Sequence, residues 1–225
     1  MTRRIDAVSR ALLRGLGAAL VAGLLVGCVS RPPMDGGAAA ALEVRTRALV
    51  KLDHWQAAGK LGLRRGPERL SGYFDWLETA SHYRLALTGP FGSGALMLSG
   101  DAESVELRGL EAGPVRAADP ESLVETATGW RLPVSALRDW VRGMPVAGAP
   151  VASMRVDPGG RIQALEQLGW HIQYAAYGEI QPMGGRNRVW LPGRLVLERD
   201  GLLLTLVVTE WQLGRAPQVR TTPVP

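Results

Sequence analysis

The chain has 225 residues, a formal charge of +5 and a single cysteine. Four arginines and one aspartate in residues 1–27 account for three of the positive charges, which leaves +2 on the remainder. That balance gives no support to nucleic-acid binding, and one cysteine excludes internal disulfides and multi-cysteine metal sites.

The chain opens with an export signal that ends at the cysteine. Residues 15–27 are uncharged and follow Arg14, and as a helix they would span only ~20 Å, short of the ~30 Å hydrocarbon core of a bilayer. Residues 1–27 therefore predict a signal peptide and not a stable membrane anchor. The run Leu25-Val26-Gly27-Cys28 resembles a bacterial lipobox, so Cys28 is expected to carry an S-diacylglycerol group and an N-linked acyl chain such as palmitate. The alternative is an ordinary signal peptide that happens to meet a cysteine.

A short tether follows the predicted lipidation site. Residues 28–37 are rich in proline and glycine, as expected for a linker between an anchor and a folded body. Val29, and not aspartate, follows Cys28. By resemblance to the sorting rule for bacterial lipoproteins, this predicts the outer membrane of a Gram-negative bacterium, with the protein lipid-anchored and facing the periplasm.

Helix and strand patterns then alternate along one predicted domain, residues 38–213. Residues 38–52 combine helix formers with an apolar face and predict an amphipathic helix. Period-two alternation predicts strands at 58–64, 70–77, 83–88, 95–98, 104–110 and 115–117.

Two helices are predicted in the middle of the domain. The first begins at Asp119-Pro120-Glu121, where Asp caps the helix and Pro occupies its first position, and it ends at Gly129. The second runs from Pro133 to Gly143, with Leu137 and Trp140 three residues apart and therefore on one face.

Strands resume after the second helix, at 152–156, 163–168, 170–174, 194–199 and 202–211. Asp200-Gly201 between the last two predicts a two-residue type I′ turn. So many short antiparallel strands must curl to manage their edges. The expected fold is mainly β, an unclosed antiparallel barrel of about ten or eleven strands covered by helices. Residues 214–225 are expected to form a loose tail.

No catalytic motif accompanies these elements. The histidines, His54, His82 and His171, have no metal-ligand spacing, and the sequence contains neither a nucleophile elbow nor a phosphate-binding loop. We therefore expect no enzymatic reaction, no catalytic residue, no metal and no cofactor.

The turn around Pro90, Phe91 and Gly92 is unusual, because a large aromatic lies among glycine, proline and serine. Such turns project into solvent. One interpretation is that Phe91 folds back onto the body of the protein. The other is that it enters a membrane, where burial of one Phe contributes roughly 1.5–3 kcal/mol, enough for a transient contact.

Together these residues resemble the LolB family of outer-membrane lipoproteins, which receive other lipoproteins and insert them into the outer membrane. The landmarks are Trp55, Gly59-Lys60, Trp76, Tyr83-Arg84-Leu85, Pro90-Phe91-Gly92, Gly129, Leu132-Pro133, Leu137, Trp140, Arg142-Gly143, Pro145, Gly169-Trp170, Tyr174, Tyr177, Leu191-Pro192 and Trp211. No single landmark is specific, but their order and spacing are.

The resemblance implies a LolA/LolB-like barrel with an apolar cavity for acyl chains. The implied partners are the periplasmic carrier LolA, acylated lipoprotein cargo and outer-membrane phospholipid, with the protein acting as a monomer that inserts cargo into the inner leaflet. Phe91 occupies the position of the exposed apolar residue of the family loop, where many members carry Leu. The hypothetical cavity residues are Leu85, Leu87, Leu96, Leu98 and Trp140.

Two other classes of function stay open at this point. A tethered structural or assembly lipoprotein that binds protein partners would share the anchor and the strands but would need no acyl-chain cavity. A periplasmic lipid-modifying enzyme would need a catalytic His or acid, and the sequence contains no positive sign of one.

Overall fold

The computed structural model describes residues 36–89, 94–183 and 188–214. All of them belong to one compact unit, Met34–Pro225. The predicted signal peptide, Cys28, the tether up to residue 35, the turn residues Pro90, Phe91 and Gly92, and the tail after Gly214 lie outside the described residues.

Three helices and thirteen strands make up the described part of the chain. The helices are α1 (Gly36–Val50), α2 (Pro120–Thr128) and α3 (Val134–Trp140). The first six strands are β1 (Trp55–Arg65), β2 (Glu68–Glu78), β3 (Tyr83–Thr88), β4 (Ala95–Gly100), β5 (Val105–Arg108) and β6 (Val115–Ala117). After α3 come β7 (Val151–Val156), β8 (Ile162–Gln167), β9 (Trp170–Ala175), β10 (Gly178–Ile180), β11 (Val189–Leu191), β12 (Arg194–Arg199) and β13 (Leu202–Leu213).

Eleven of the strands form one antiparallel sheet in the order β6-β5-β4-β3-β2-β1-β13-β12-β9-β8-β7. The first strand pairs with the last, which joins the two halves of the chain. The edge strands β6 and β7 do not pair with each other, so the sheet is not closed. The expectation of an unclosed antiparallel barrel of about ten or eleven strands is confirmed, and β10 and β11 form a separate pair that the sequence patterns did not indicate.

The core lies on the inner face of this sheet. Alternate residues of β1 and β13 are buried, because successive side chains of a strand point to opposite faces. Trp55 packs against Trp76 and Trp211, with ring centroids 5.4 and 5.7 Å apart, and it anchors the middle of the core. A smaller cluster under α2 contains Tyr83, Leu98 and Leu107.

The first helix is attached to the rest of the domain by two arginines. Arg45 donates from its guanidinium to the carbonyl oxygens of Gly143 and Trp190, both at 2.8 Å. Arg142 donates to the carbonyl oxygens of Leu49 and Leu52 at 3.2 and 3.3 Å, where the helix ends. Free carbonyls at a helix C-terminus favour such a cation. The helix α1 ends at Val50, two residues before the end expected from its pattern.

Local signals account for the remaining boundaries. The Asp119 side chain accepts from the Ser122 backbone N–H at 2.9 Å, and Gly129 follows α2 with φ +73°, as predicted from the capping residues. Asp200 and Gly201 both have positive φ and join strands in register, as a type I′ turn requires. At the bulge in β1, a Cβ on Gly59 would lie 2.0 Å from the Val207 carbonyl oxygen, so only glycine fits there.

Candidate functional site

An apolar cavity of about 380 Å³ lies between the inner face of the sheet and helices α2 and α3. Its volume falls within the ~300–1,000 Å³ typical of ligand sites. Three residues with polar side chains, Ser71, Thr88 and Thr128, are among its lining residues, and no charged residue is among them in the described part of the chain. Ser71 and Thr88 alternate with inward-facing leucines on β2 and β3, so their side chains point to the outer face. The cavity therefore suits a hydrocarbon ligand.

Inward-facing residues of five strands form the walls of the cavity. They come from β1, β2, β3, β4 and β13, and they are Leu61, Leu63, Leu70, Phe74, Trp76, Leu85, Leu87, Leu96, Leu204 and Leu206. Strand pairing aligns these side chains on one face; Phe74 lies opposite Leu87, for example, and Leu63 opposite Leu204. The hydrophobic half of the alternating pattern thus becomes a continuous apolar wall.

The roof of the cavity, here called the cover, consists of α2, α3 and the segment 129–133 between them. Its lining residues are Val124, Thr128, Trp130, Leu132, Val134 and Leu137. The two helices are joined at the start of α3, where the Glu121 carboxylate accepts from the Ser135 backbone N–H at 2.7 Å and from its hydroxyl at 3.2 Å. These hydrogen bonds therefore connect α2 to the start of α3 within the cover.

Two arginines attach the cover to the sheet. Arg138 on α3 forms an ion pair with Glu78 on β2, with its Nε 3.2 Å from one carboxylate oxygen. Burial raises the pKa of the Glu78 carboxyl above its usual value, although Arg138 opposes this shift. Arg138 also lies over the Tyr83 ring at 5.1 Å, and burial raises the pKa of Tyr83 to about 12. Near the other end of the cover, Arg65 stacks on Trp130 at 4.9 Å.

The cavity opens near the start of β2 and the end of β3. Leu70 belongs to its lining and is 46 % exposed, so solvent reaches the apolar wall at this end. Gly89 and Gly94, which also line it, are joined by a backbone hydrogen bond of 3.1 Å and flank residues 90–93. The two residues on either side of the segment predicted to form the Phe91 turn therefore both line the cavity.

The structure brings together three of the five side chains expected around the cavity. Leu85, Leu87 and Leu96 are in its lining. Leu98 and Trp140 are not among the described lining residues. Leu98 is covered by α2 and packs in the smaller core cluster. Trp140 is fully buried beside Trp170, at a ring-centroid distance of 6.4 Å.

Most residues of the cavity wall were not predicted from the sequence. Alternation in β1 and β13 predicts that one face of each strand is apolar, and this face contains Leu61, Leu63, Leu204 and Leu206. The alternation does not show that the two strands are neighbours in the sheet. On α3 we expected Trp140 at the cavity, and the residue that lines it is Leu137. Three residues advance a helix by ~4.5 Å along its axis, which carries Trp140 past the cavity and into the main core.

Metal-binding and membrane-spanning features are absent from the described residues. These contain no group of three or more side chains placed to hold a metal ion. None of their helices has the length and hydropathy needed to cross a membrane. Of the histidines, His54 lies 2.9 Å from Asp53, while His82 and His171 are largely exposed and lie within 3.8 Å of an acid.

Comparison with known proteins identifies relatives over nearly the whole chain. The family model described as outer membrane lipoprotein LolB matches residues 53–211. The outer-membrane lipoprotein LolB of Stutzerimonas stutzeri is 38% identical over 211 residues, which cover 91% of this chain and 99% of that protein. The protein of the same name from Pseudomonas aeruginosa PAO1 is 39% identical over 205 residues, 88% of this chain and 97% of its own.

A solved structure has a similar fold. The crystal structure of a LolA-superfamily protein from Nitrosomonas europaea superposes with a TM-score of 0.52 at 11% identity, covering 80% of this chain and 94% of that one. At this identity the likeness concerns the fold alone. Taken with the family match and the apolar cavity under a helical cover, the sequence relatives show that the chain belongs to the LolB family of outer-membrane lipoproteins.

Proposed function

We propose that this protein accepts lipoproteins from the periplasmic carrier LolA through their acyl chains and inserts them into the inner leaflet of the outer membrane. The observation that carries the proposal is the cavity, whose exposed lining is almost entirely hydrocarbon. Family membership supports the same role. The proposed transfer makes and breaks no covalent bond, so binding and release are all that the chain must supply.

The physical problem in such a transfer is the exposure of acyl chains to water. Each exposed methylene costs about 0.8 kcal/mol, so one 16-carbon chain costs on the order of 10 kcal/mol. A preformed cavity lined by leucine and aromatic side chains removes much of that cost without a hydrogen-bonding partner. Because the cavity is open at one end, the chains have a route out toward a bilayer.

The anchor and the turn complete the proposed mechanism. Lipidation at Cys28 would hold the domain at the outer membrane on the periplasmic side, so the acceptor would be located at the membrane into which cargo is inserted. Phe91 would enter the bilayer and start the release of cargo. A structural lipoprotein that only binds protein partners has no use for an apolar cavity, so the cavity favours the acceptor over that alternative.

The test is a transfer assay with a soluble form that begins at Val29 and therefore keeps the compact unit Met34–Pro225. It is mixed with LolA loaded with a lipoprotein and with liposomes, and cargo is followed on the acceptor and on the liposomes. The parent and Phe91→Leu are expected to take up and deliver cargo, because both keep an apolar side chain at the turn. Phe91→Glu is expected to take up cargo and fail to deliver it.

Two results would count against these assignments. If the parent never takes up acylated cargo, the acceptor function is wrong. If Phe91→Glu delivers cargo as well as Phe91→Leu, the turn has no part in insertion.

A further inference from the structure

The outer face of the β1–β2 hairpin presents two like charges directly opposite each other. Arg64 on β1 pairs in register with Arg69 on β2, and both are exposed. Like charges in directly opposed cross-strand positions destabilise a sheet. No acidic side chain within the described residues forms an ion pair with either arginine, whereas the adjacent Arg65 pairs with Glu68 at 3.2 Å. The pair therefore remains available to an external anion.

A groove of about 340 Å³ lies beside these arginines on the same outer face. Its floor is Gly62, where an added Cβ would meet no atom within 4 Å. Ser71 and Thr205 flank Gly62 in register on the two neighbouring strands. Arg64, Arg69 and Leu203 form the end of the groove nearest the hairpin tip. The open space above Gly62, which has no side chain, is thus surrounded by two guanidinium groups and two hydroxyls.

This arrangement has the chemistry of a phosphate site. Guanidinium groups present paired N–H donors that match phosphate oxygens, and hydroxyls add further donors. The diacylglyceryl group of a lipoprotein carries no phosphate, so the anchor of the cargo is not the ligand that this chemistry selects. Bilayer phospholipids do carry one.

The position of the groove favours a bilayer over a protein partner. The inner face of the same hairpin presents Leu63 and Leu70 to the cavity, and Leu70 stands at its mouth. The hairpin is therefore apolar toward the acyl-chain cavity and basic on its other face. When the mouth meets a membrane, the arginines lie at the level of the headgroups, where each contributes attraction to anionic lipid.

We propose that the groove between Arg64, Arg69 and Gly62 binds the headgroup phosphate of an anionic phospholipid and holds the cavity mouth against the bilayer. The inference rests on the proposed function, because it assigns to this surface the membrane contact from which cargo is released. The binding is weakened by salt, since exposed charges are screened.

The experiment measures binding of the soluble form from Val29 to two kinds of vesicle, phosphatidylcholine alone and phosphatidylcholine with phosphatidylglycerol. Three variants are compared with the parent. Arg64→Gln/Arg69→Gln removes the paired charges. Arg155→Gln/Arg194→Gln removes the same charge from exposed arginines on β7 and at the start of β12, away from the hairpin. Gly62→Val fills the groove and leaves every charge in place, and the extended strand accepts valine.

The parent is expected to bind the phosphatidylglycerol vesicles more tightly than the neutral ones. Loss of both hairpin arginines should weaken that binding by about 25-fold, at about fivefold for each arginine near an anionic surface. Gly62→Val should weaken it as well, and Arg155→Gln/Arg194→Gln should bind like the parent. Circular dichroism checks that each variant is folded.

Four outcomes would overturn the proposal. Equal binding by the parent and Arg64→Gln/Arg69→Gln would exclude the pair. Equal losses in the two double variants would mean that only net charge matters, and a Gly62→Val variant that binds like the parent would mean that no headgroup is seated in the groove. If the hairpin variant binds vesicles normally but no longer receives cargo from LolA, the surface docks a protein instead.

Failure of the proposed function gives a different result. A parent that takes up no acylated cargo but shows the groove-dependent binding to anionic vesicles would reject the acceptor function while leaving the phosphate site in place.

Discussion

The indole N–H of Trp140 donates to the side-chain oxygen of Gln167 at 2.9 Å, and both side chains are fully buried. The same oxygen accepts from the Val146 backbone N–H at 2.9 Å, while the amide nitrogen donates to the carbonyls of Val146 and Ala149 at 2.9 and 3.0 Å. One glutamine on β8 therefore fixes the end of α3 and the segment that follows it. Satisfied buried networks of this kind position neighbouring elements precisely.

Gln167→Leu is expected to lower the free energy of unfolding by about 3–5 kcal/mol, because it leaves several buried polar groups without partners at once. Urea unfolding followed by circular dichroism measures this. The matched control is Gln163→Leu on the same strand, which removes one 3.4 Å contact to Asp157 and should cost less than about 1 kcal/mol. Similar losses in the two variants would mean that the Gln167 network does not hold α3.

The cavity wall can be tested with two neighbouring residues of β4. Leu96 lines the cavity, whereas Met97 points to the outer face, and both are partly exposed. Leu96→Gln should weaken binding of a diacylglyceryl-modified peptide by about 1–2 kcal/mol, or roughly 5- to 30-fold, because part of the acyl contact becomes polar. Met97→Gln should leave it unchanged. Fluorescence titration with labelled peptide gives both affinities, and equal losses would place the acyl chain elsewhere.

Glu78 makes the stability of the domain depend on pH in a defined direction. Because burial raises the pKa of its carboxyl in the folded protein above the usual 4.5, its contribution to stability is fully present below pH 4.5. It is lost as the pH rises through the raised value. Glu78→Gln, which does not titrate, should show a flatter dependence of the unfolding free energy on pH across that window.

Arg138→Gln serves as the opposing variant in the same measurement. It removes the cation that favours the ionised form of Glu78, so the decline in stability with rising pH should become steeper. Urea unfolding at a series of pH values between 4 and 8 provides the comparison. Parallel curves for the parent and both variants would show that the Glu78–Arg138 pair is not a buried attachment of the cover.

Much of the architecture could be predicted from the order of residues. Alternation at period two located eleven of the thirteen strands within a few residues, and the Asp119 and Gly129 caps bounded α2. The two-residue Asp200-Gly201 turn fixed the register of the final hairpin. These features depend on interactions between residues close in the chain, so they can be predicted from the sequence alone.

The short pair β10–β11 could not be predicted from local sequence patterns. Each strand has three residues, too few for alternation to be distinguished from chance. Residues 181–188 separate the two strands, which is too long a connection for a two-residue turn to set their register, so the pairing depends on the surrounding fold.

The sequence by itself determined that this is a chain of short antiparallel strands with a predicted export signal, a lipobox cysteine and helices in the middle. Only the tertiary structure decided which inward side chains face open space. Leu96 and Leu98 share one face of β4, yet α2 covers Leu98 and leaves Leu96 in the cavity wall. Strand register likewise decided that Arg64 and Arg69 lie directly opposite each other. A side chain's own chemistry sets whether it can be buried, but the elements packed above it determine whether it lines a core, a cavity or a surface.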